Sequence, residues 1–390
     1  MSQQYDTIQA SFEQLKAYCE QEDFKGWDPY DGLNSKLFRA LPWVSRRKWP
    51  RLAWIQLFKR SPVNLRRITG VAKDYNPKGL GLFLSGYCNL YQKQPQEQYI
   101  TTIKYLADKL LTLQSQGWSG ACWGYNFDWQ ARAFFQPKYT PTVVATTFIA
   151  YSLMDAYEVT GEQRYLDAAI SAQHFVLKDL NRTYDDEGNF AFSYSPEDRT
   201  QVFNASLLGS RLLSRIYHYT GNAALLDAAR RSILFCCRHQ HADGSWSYGT
   251  LPFHQWIDNF HTGYNLECIR EYRKYSGDTS FDSHVDKGLA YYLETFFTAE
   301  GIAKYYSNKT YPIDIHNTAQ LVVTLSRLDV LEQHRHMVDT SLLWSIVHMQ
   351  DKKGYFYFQM KNRYSSRIPY VRWAQGWMFY GMTEYLKNKT

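Results

Sequence analysis

Apolar positions along this chain recur with helical spacing in paired segments, and a short polar stretch carrying glycine and an aromatic cluster separates each pair from the next. Residues 142–159 and 162–180, 202–219 and 223–239, 261–275 and 281–297, and 315–328 and 337–350 read as successive helix pairs. The pair 80–91 and 97–114 precedes them, and 370–386 closes the chain. Recurrence at i, i+3, i+4 and i+7 predicts amphipathic helices with one buried face. The punctuation reads Gly117-Trp118 to Trp123, Gly188-Asn189-Phe190, Gly244-Ser245-Trp246, Gly301-Ile302 to Tyr305 and Gly354-Tyr355-Phe356. From the second onward the glycines at 188, 244, 301 and 354 fall 56, 57 and 53 residues apart. A second series, Thr160-Gly161-Glu162, Thr220-Gly221-Asn222 and Ser276-Gly277-Asp278, keeps step at 60 and 56. A fixed period marks repeat architecture, and each unit has room for two helices of roughly 12–18 residues with loops. Strand signals are confined to short aromatic segments such as 190–194 and 355–359.

Five or six hairpins closing on themselves predict an all-α fold, an (α/α)6-type toroid with short β turns at one rim, over residues 76–390. Residues 1–75 break this pattern. A capped helix from about 6 to 22 is followed by Pro29, Pro42, Pro50 and Pro62, which cut the chain into short pieces. They read as a basic, Trp-rich lead-in packed on the ring, not a separate fold. The net charge of +7 is concentrated there: between Gly32 and Lys73 eleven Lys or Arg meet no acid, leaving 33 bases against 37 acids elsewhere. Trp43, Trp49, Trp54 and Phe58 interleave these cations. Such a stretch either associates peripherally with an anionic membrane through residues 36–73 or packs on the ring through its tryptophans. Nucleic acid is not expected, because no recognised motif accompanies the charge. The first 22 residues are too polar for a signal peptide, and no apolar run approaches the roughly 20 residues of a membrane span. The six cysteines show no framework spacing and read as reduced core thiols of a cytoplasmic, or membrane-peripheral, protein. With 32 Tyr and 12 Trp, the chain has material for an aromatic cavity wall as well as for a core.

Polar residues gather just before the first helix of each pair, so ring closure brings them to one mouth. Asp258 with His261, and Asp314 with His316, occupy equivalent places in successive units. An Asp beside a His orients an imidazole for proton transfer, and paired carboxylates can serve as general acid and base. Asp258, His261, Asp314 and His316, with the phenols of Tyr264 and Tyr311, are therefore the candidate catalytic groups. Either Asp can equally be a helix N-cap. Trp123, Asn126, Asp128 and Trp129 offer stacking and hydrogen bonds on one wall, and Asn204, Asn259 and Asn317 extend it. Arg372, Trp373 and Gln375 supply a planar cation for a carboxylate and a ring for a sugar face. No metal or other cofactor is implied, since no His-x3-His or Cys-x2-Cys pair is present and Gly79-Leu80-Gly81 lacks a phosphate-loop context.

These features resemble the six-hairpin (α/α) toroid class, which includes unsaturated glucuronyl hydrolases, sugar 2-epimerases, polysaccharide lyases and glucuronyl C5-epimerases. The stretch 240–246, Gln-His-Ala-Asp-Gly-Ser-Trp, resembles the Gln-Trp repeat of triterpene cyclases, although their Asp-x-Asp-Asp motif is missing. The stretches 27–34 (Trp-Asp-Pro-Tyr-Asp-Gly-Leu-Asn), 258–263 (Asp-Asn-Phe-His-Thr-Gly) and 314–317 (Asp-Ile-His-Asn) are similar to a bacterial family encoded among capsule and O-antigen biosynthesis genes. Its members often carry the label delta-aminolevulinic acid dehydratase, an enzyme built instead on a β/α barrel with a Schiff-base lysine. The resemblance implies work on an envelope polysaccharide or its precursor. With the candidate residues, the chain reads as a carbohydrate-active enzyme using general acid/base chemistry on an acidic, uronate-containing glycan, as a lyase, hydrolase or epimerase. Two alternatives stay open: a non-catalytic glycan-binding module partnering a membrane glycosyltransferase, and an isoprenoid-lipid-processing toroid enzyme.

Overall fold

Helices form where the apolar period predicts them, and the computed structural model describes residues 2–132 and 134–388. The N-terminal part forms α1 (Ser2–Gln21), α2 (Lys36–Arg39), α3 (Pro42–Ser45), α4 (Lys48–Arg60) and α5 (Leu65–Thr69). Five hairpins follow: α6 (Pro77–Lys93) with α7 (Glu97–Thr112), α8 (Val143–Thr160) with α9 (Gln163–His174), α10 (Phe203–Thr220) with α11 (Ala223–Cys237), α12 (Asn259–Ser276) with α13 (Asp282–Phe296), and α14 (Ile315–Arg327) with α15 (Arg335–Met349). Helix α16 (Trp377–Lys387) ends the chain. Asn76, Thr142, Asp258 and Asp314 cap the starts of α6, α8, α12 and α14 with their side-chain oxygens. Gly161, Gly221 and Gly277 end α8, α10 and α12 in the left-handed region, at φ of 71°, 66° and 74°. One of the two glycine series in the sequence is thus a set of helix stops.

The first helices of the pairs pack side by side in the order α6, α8, α10, α12, α14, α16, and α16 returns to α6. The ring is closed. The outer place beside α16 is taken by α1, which packs on α15 and α16 with the Phe12 and Phe379 rings 5.2 Å apart. The contacts repeat in kind. A Cβ on Gly244 would stand 2.3 Å from the Lys287 carbonyl oxygen of α13, and one on Gly354 would stand 2.3 Å from the Gln14 carbonyl oxygen of α1. Gln240 donates to the Gly244 and His284 carbonyls, and Gln350 donates to the Gly354 and Ser11 carbonyls. The first helix therefore makes the sixth outer partner, although it lies at the far end of the sequence.

The punctuating aromatics hold outer helix ends. Trp123 Nε1 donates to the Leu110 carbonyl at 2.8 Å, and Trp246 Nε1 to the Cys236 carbonyl at 3.0 Å. Short antiparallel strands mark the mouth-side loops: β1 (Trp129–Gln130) with β2 (Phe135–Gln136), and β3 (Arg182–Tyr184) with β4 (Phe190–Phe192). A four-stranded antiparallel sheet follows in the order β5 (Lys304–Tyr306), β6 (Lys309–Asp314), β7 (Gln359–Met360) and β8 (Ser365–Ser366). Strand β6 is missed by sequence pattern because Pro312 sits inside it; its pairing with neighbours on both sides is tertiary, and it delivers Asp314 to the start of α14.

The opposite end of the ring is closed by charge. Arg215 pairs with Asp155 at 2.7 Å and with Glu158 at 2.9 Å, Arg211 with Glu267 at 3.3 Å, and Arg327 with Glu384 at 3.1 Å. Beyond this plug lies a cavity of about 430 Å³ edged by Arg270, Arg273, Lys274 and Lys387 and by the carboxylates of Glu271, Asp329 and Glu384. All six cysteines are buried and unpaired.

Candidate active site

Asp258 and His261 stand at the cap and third residue of α12. In that geometry a side chain at the third position reaches back over the cap. Asp258 Oδ1 accepts from the His261 backbone N–H at 3.0 Å, and Oδ2 accepts from His261 Nδ1 at 2.8 Å and Trp256 Nε1 at 3.0 Å. A carboxylate accepting at Nδ1 leaves the lone pair on Nε2. Asp258 is buried, whereas the His261 side chain keeps 20% of its surface.

Asp314 and His316 do not repeat this arrangement. One residue fewer separates them, which swings the ring away from the cap, so Asp314 accepts only the His316 backbone N–H, at 3.0 Å. Its oxygens also accept from Trp373 Nε1 at 3.0 Å and Gln359 Nε2 at 2.6 Å, and the residue is fully buried. Burial pushes its carboxyl up to about 6 against the bonds from Gln359, His316 and Trp373. The His316 ring is stacked between Phe260 at 4.6 Å and Trp377 at 4.3 Å, with Nε2 3.2 Å from the Tyr264 hydroxyl and Nδ1 without a hydrogen-bond partner among the described residues. Burial, then the Lys78 and Arg372 cations and His261, hold His316 well below the usual imidazole range. Burial and Glu267 raise Tyr264 well above the usual phenol range.

The raised carboxyl predicts a pH effect. A native value near 6 against an ordinary 3.9 means the folded protein binds more protons in that window, so Asp314 weakens folding as pH rises from about 4 to about 6. Asp314→Asn removes this slope and keeps a cap. The stability difference between variant and wild type is expected to move in the variant's favour by roughly 2–3 kcal/mol between pH 4 and 7. Urea midpoints at both ends measure it, and an unchanged difference would refute the raised carboxyl.

Tyrosines from successive units line the mouth. The Tyr125 and Tyr194 hydroxyls are 3.3 Å apart, and the Tyr248 ring lies 4.7 Å from His261 and 4.6 Å from Trp256. Phe260 touches Tyr305 at 5.6 Å and Trp373 at 5.6 Å, while Tyr30 reaches Trp373 at 5.9 Å and Trp129 at 6.3 Å. Two cations enter from below and above. Lys78, the second residue of α6, is 3% exposed, with Nζ 4.1 Å from the Phe148 ring, 5.3 Å from Trp377 and 5.4 Å from Tyr264. It has no hydrogen bond or ion pair among the described residues, and burial followed by Arg372 holds it well below the usual lysine range. From α4, Lys59 donates to the Tyr30 hydroxyl at 2.7 Å.

The structure brings Asp258, His261, Tyr264, His316, Trp373 and, in a closed supporting position, Asp314 to one place. Other expected residues serve elsewhere. Arg372 is not free for a ligand carboxylate: its guanidinium is bidentate on Asp28, at 2.6 and 2.9 Å, deep in the protein. Trp123 is core packing, not a wall, since its indole turns outward to α7. Asn259 accepts from Tyr292 of α13, and Gln375 bonds both ways with the Phe356 backbone, so each points between helices. Tyr311 is 39% exposed on β6. Asp128 accepts the Lys138 backbone N–H and pairs with Arg39 at 3.5 Å. Asn126 accepts from Asn76 and Asn34 at the mouth, and Trp129 stands half-buried between Tyr30 and Tyr194. Asn204 and Asn317 are buried, each with a side-chain oxygen that has no hydrogen-bond partner among the described residues. Sequence reasoning passed over Lys78, for which no signal exists, and over Tyr125, Tyr194, Tyr248 and Tyr305, whose recurrence before each first helix follows the repeat period. No three His, Cys, Asp or Glu among the described residues are grouped to hold a metal ion.

No protein-family model matches the chain, and no curated protein matches it in sequence. Solved structures do match in shape. An unsaturated glucuronyl hydrolase specific for heparin superposes with a TM-score of 0.65 at 13% identity, covering 99% of this chain and 97% of its own. Cellobiose 2-epimerase from Bacillus thermoamylovorans gives 0.64 at 12% identity over 81% and 88%. A family 76 alpha-mannanase from Bacteroides thetaiotaomicron gives 0.60 at 14% identity over 80% and 86%. At such identities the shared property is the fold, an (α/α)6 toroid used by carbohydrate-active enzymes.

Proposed function

We propose that the protein is a carbohydrate-active enzyme that abstracts a proton from a sugar carbon next to a carbonyl or carboxylate, as an epimerase or lyase acting on an acidic glycan. The observation that carries this reading is the Asp258–His261 pair, whose imidazole keeps 20% of its surface beside the Tyr248, Trp256 and Tyr264 rings. Aromatic faces suit sugar rings, and the toroid neighbours are named for epimerisation, hydrolysis and lysis of saccharides. Hydrolysis by two carboxyls is disfavoured, because Asp314 has both oxygens engaged and no exposed surface.

In this reading His261 Nε2 takes the proton from the carbon, and the electron pair moves onto the adjacent substrate oxygen. Return of a proton from water to the other face inverts the centre; departure of the neighbouring glycosidic oxygen, which takes up the proton held by His261, leaves an unsaturated sugar. Lys78 takes the role first expected of Arg372 and meets the substrate oxygen, since an anion beside it restores its proton affinity. The family resemblance adds an envelope polysaccharide or its precursor as the substrate source. Incubation with reducing disaccharides and with uronate glycans in D2O tests the step: either an epimer carrying deuterium at the inverted carbon, or an unsaturated product seen by its ultraviolet absorbance, is expected. Hydrolysis without deuterium uptake, or no turnover of either class, would refute it.

Lys78→Met is expected to lower kcat/KM roughly 10²–10³-fold by removing an oxyanion donor. The same change relieves an unpaired buried amine, so the thermal midpoint is expected to rise, by roughly 1–2 kcal/mol of stability. A lysine that only supports packing would leave kcat/KM near the wild-type value and lower the midpoint.

A further inference from the structure

We infer that the segment spanning α2 to α5 docks the protein on an anionic lipid bilayer. Its tryptophans do not pack on the ring as one reading of the sequence expected. Trp43 is 83% exposed and Trp49 76%, with Ile68 at 79% and Val63 at 60%; Leu37, Leu41 and Leu57 are exposed beside them. Only Trp54 turns inward, donating to the Gly32 carbonyl and stacking on Phe38. Isolated exposed apolar residues are ordinary, but this many on one short segment are not.

The surrounding charge selects the occupant. Exposed Lys36, Arg46, Arg47, Lys48, Arg60 and Arg67 have no carboxylate partner among the described residues, and the segment from Gly32 to Lys73 contains no acid. Exposed indoles among unpaired cations match the headgroup layer of a bilayer, where the rings sit at the interface and the cations meet phosphate. A second copy of this chain would bring the same cations against each other and is disfavoured by that repulsion. The segment lies at the mouth end of the ring: Lys59 bonds Tyr30 beside Trp373, and the Tyr364 hydroxyl on the neighbouring sheet loop donates to the Arg60 carbonyl. Docking therefore sets the mouth of the ring alongside the headgroups. This inference is independent of the sugar chemistry.

The test uses the full chain with vesicles of phosphatidylcholine alone and of phosphatidylcholine mixed with phosphatidylglycerol. Sedimentation with the mixed vesicles at low salt is expected, fading as added salt shortens the Debye length. A paired Trp43→Ser, Trp49→Ser variant is expected to lower partitioning roughly tenfold or more. A triple Arg46→Gln, Arg47→Gln, Lys48→Gln variant is expected to lower it on the order of a hundredfold. Both variants are expected to keep the wild-type melting curve, since the replaced side chains are exposed. Three results would overturn the inference: no sedimentation with mixed vesicles, equal sedimentation with phosphatidylcholine alone, or a dimer in solution that the tryptophan variant dissociates.

Discussion

Asp258→Asn is expected to reduce turnover by roughly 10²–10⁴-fold while leaving folding almost unchanged. Asparagine still accepts the His261 backbone N–H as a helix cap, so the start of α12 survives. What is lost is the acceptor that fixes the imidazole: the amide can present its NH2 to Nδ1, which moves the ring proton to Nε2 and removes the base. His261→Ala is expected to cost as much. Combining both changes is expected to add little, because groups acting as one unit are not additive. Rates on whichever substrate class is turned over, with circular dichroism melting as the fold control, decide the matter. Turnover at the wild-type rate in either single variant would remove the proposed site.

The largest effect on stability is expected at a pair that touches no substrate. Asp28 grips Arg372 with both oxygens, while Arg66, wholly buried, donates to Asp31 at 2.6 Å, to Tyr370 at 2.9 Å and to the Asp28 carbonyl at 2.6 Å. These contacts tie residues 28–31 and α5 to the turn that precedes α16. Asp28→Ala leaves a buried guanidinium unpaired, which costs about 3–5 kcal/mol. A fall of that size is expected from urea midpoints. Joining Asp28→Leu with Arg372→Met is expected to recover much of it, because no buried charge then remains. An unchanged midpoint in Asp28→Ala would mean that solvent reaches Arg372 and that the pair carries little.

The motif Trp27 to Asn34, which the sequence offered through a resemblance, thus has a structural account: Trp27 Nε1 donates to the Val71 carbonyl, and the two aspartates neutralise two buried arginines. Its residues stand beside the mouth without joining the reacting groups. The same separation explains why polar residues before each first helix were only partly a guide. Asn259 and Gln375 share that position with His261, yet a helical step of about 100° per residue decides which of them faces the ring axis. Asp258 and Asp314 looked alike for the same reason, and one residue of spacing separated an oriented histidine from a sealed carboxyl.

Periodic apolar faces, left-handed glycine stops and side-chain caps are local properties, so the chain's own order of residues was enough to announce paired helices and their closure into a ring. Sidedness is not local. Which tryptophan buries its ring, as Trp123 does, and which is left in solvent, as Trp43 is, depends on the neighbour that happens to cover it. The placement of α1 beside α16, the strand made at Lys309–Asp314 and the unpaired amine of Lys78 under three aromatic rings all arise from contacts between segments far apart in sequence. They depend on where distant surfaces meet, and no period in the chain encodes that.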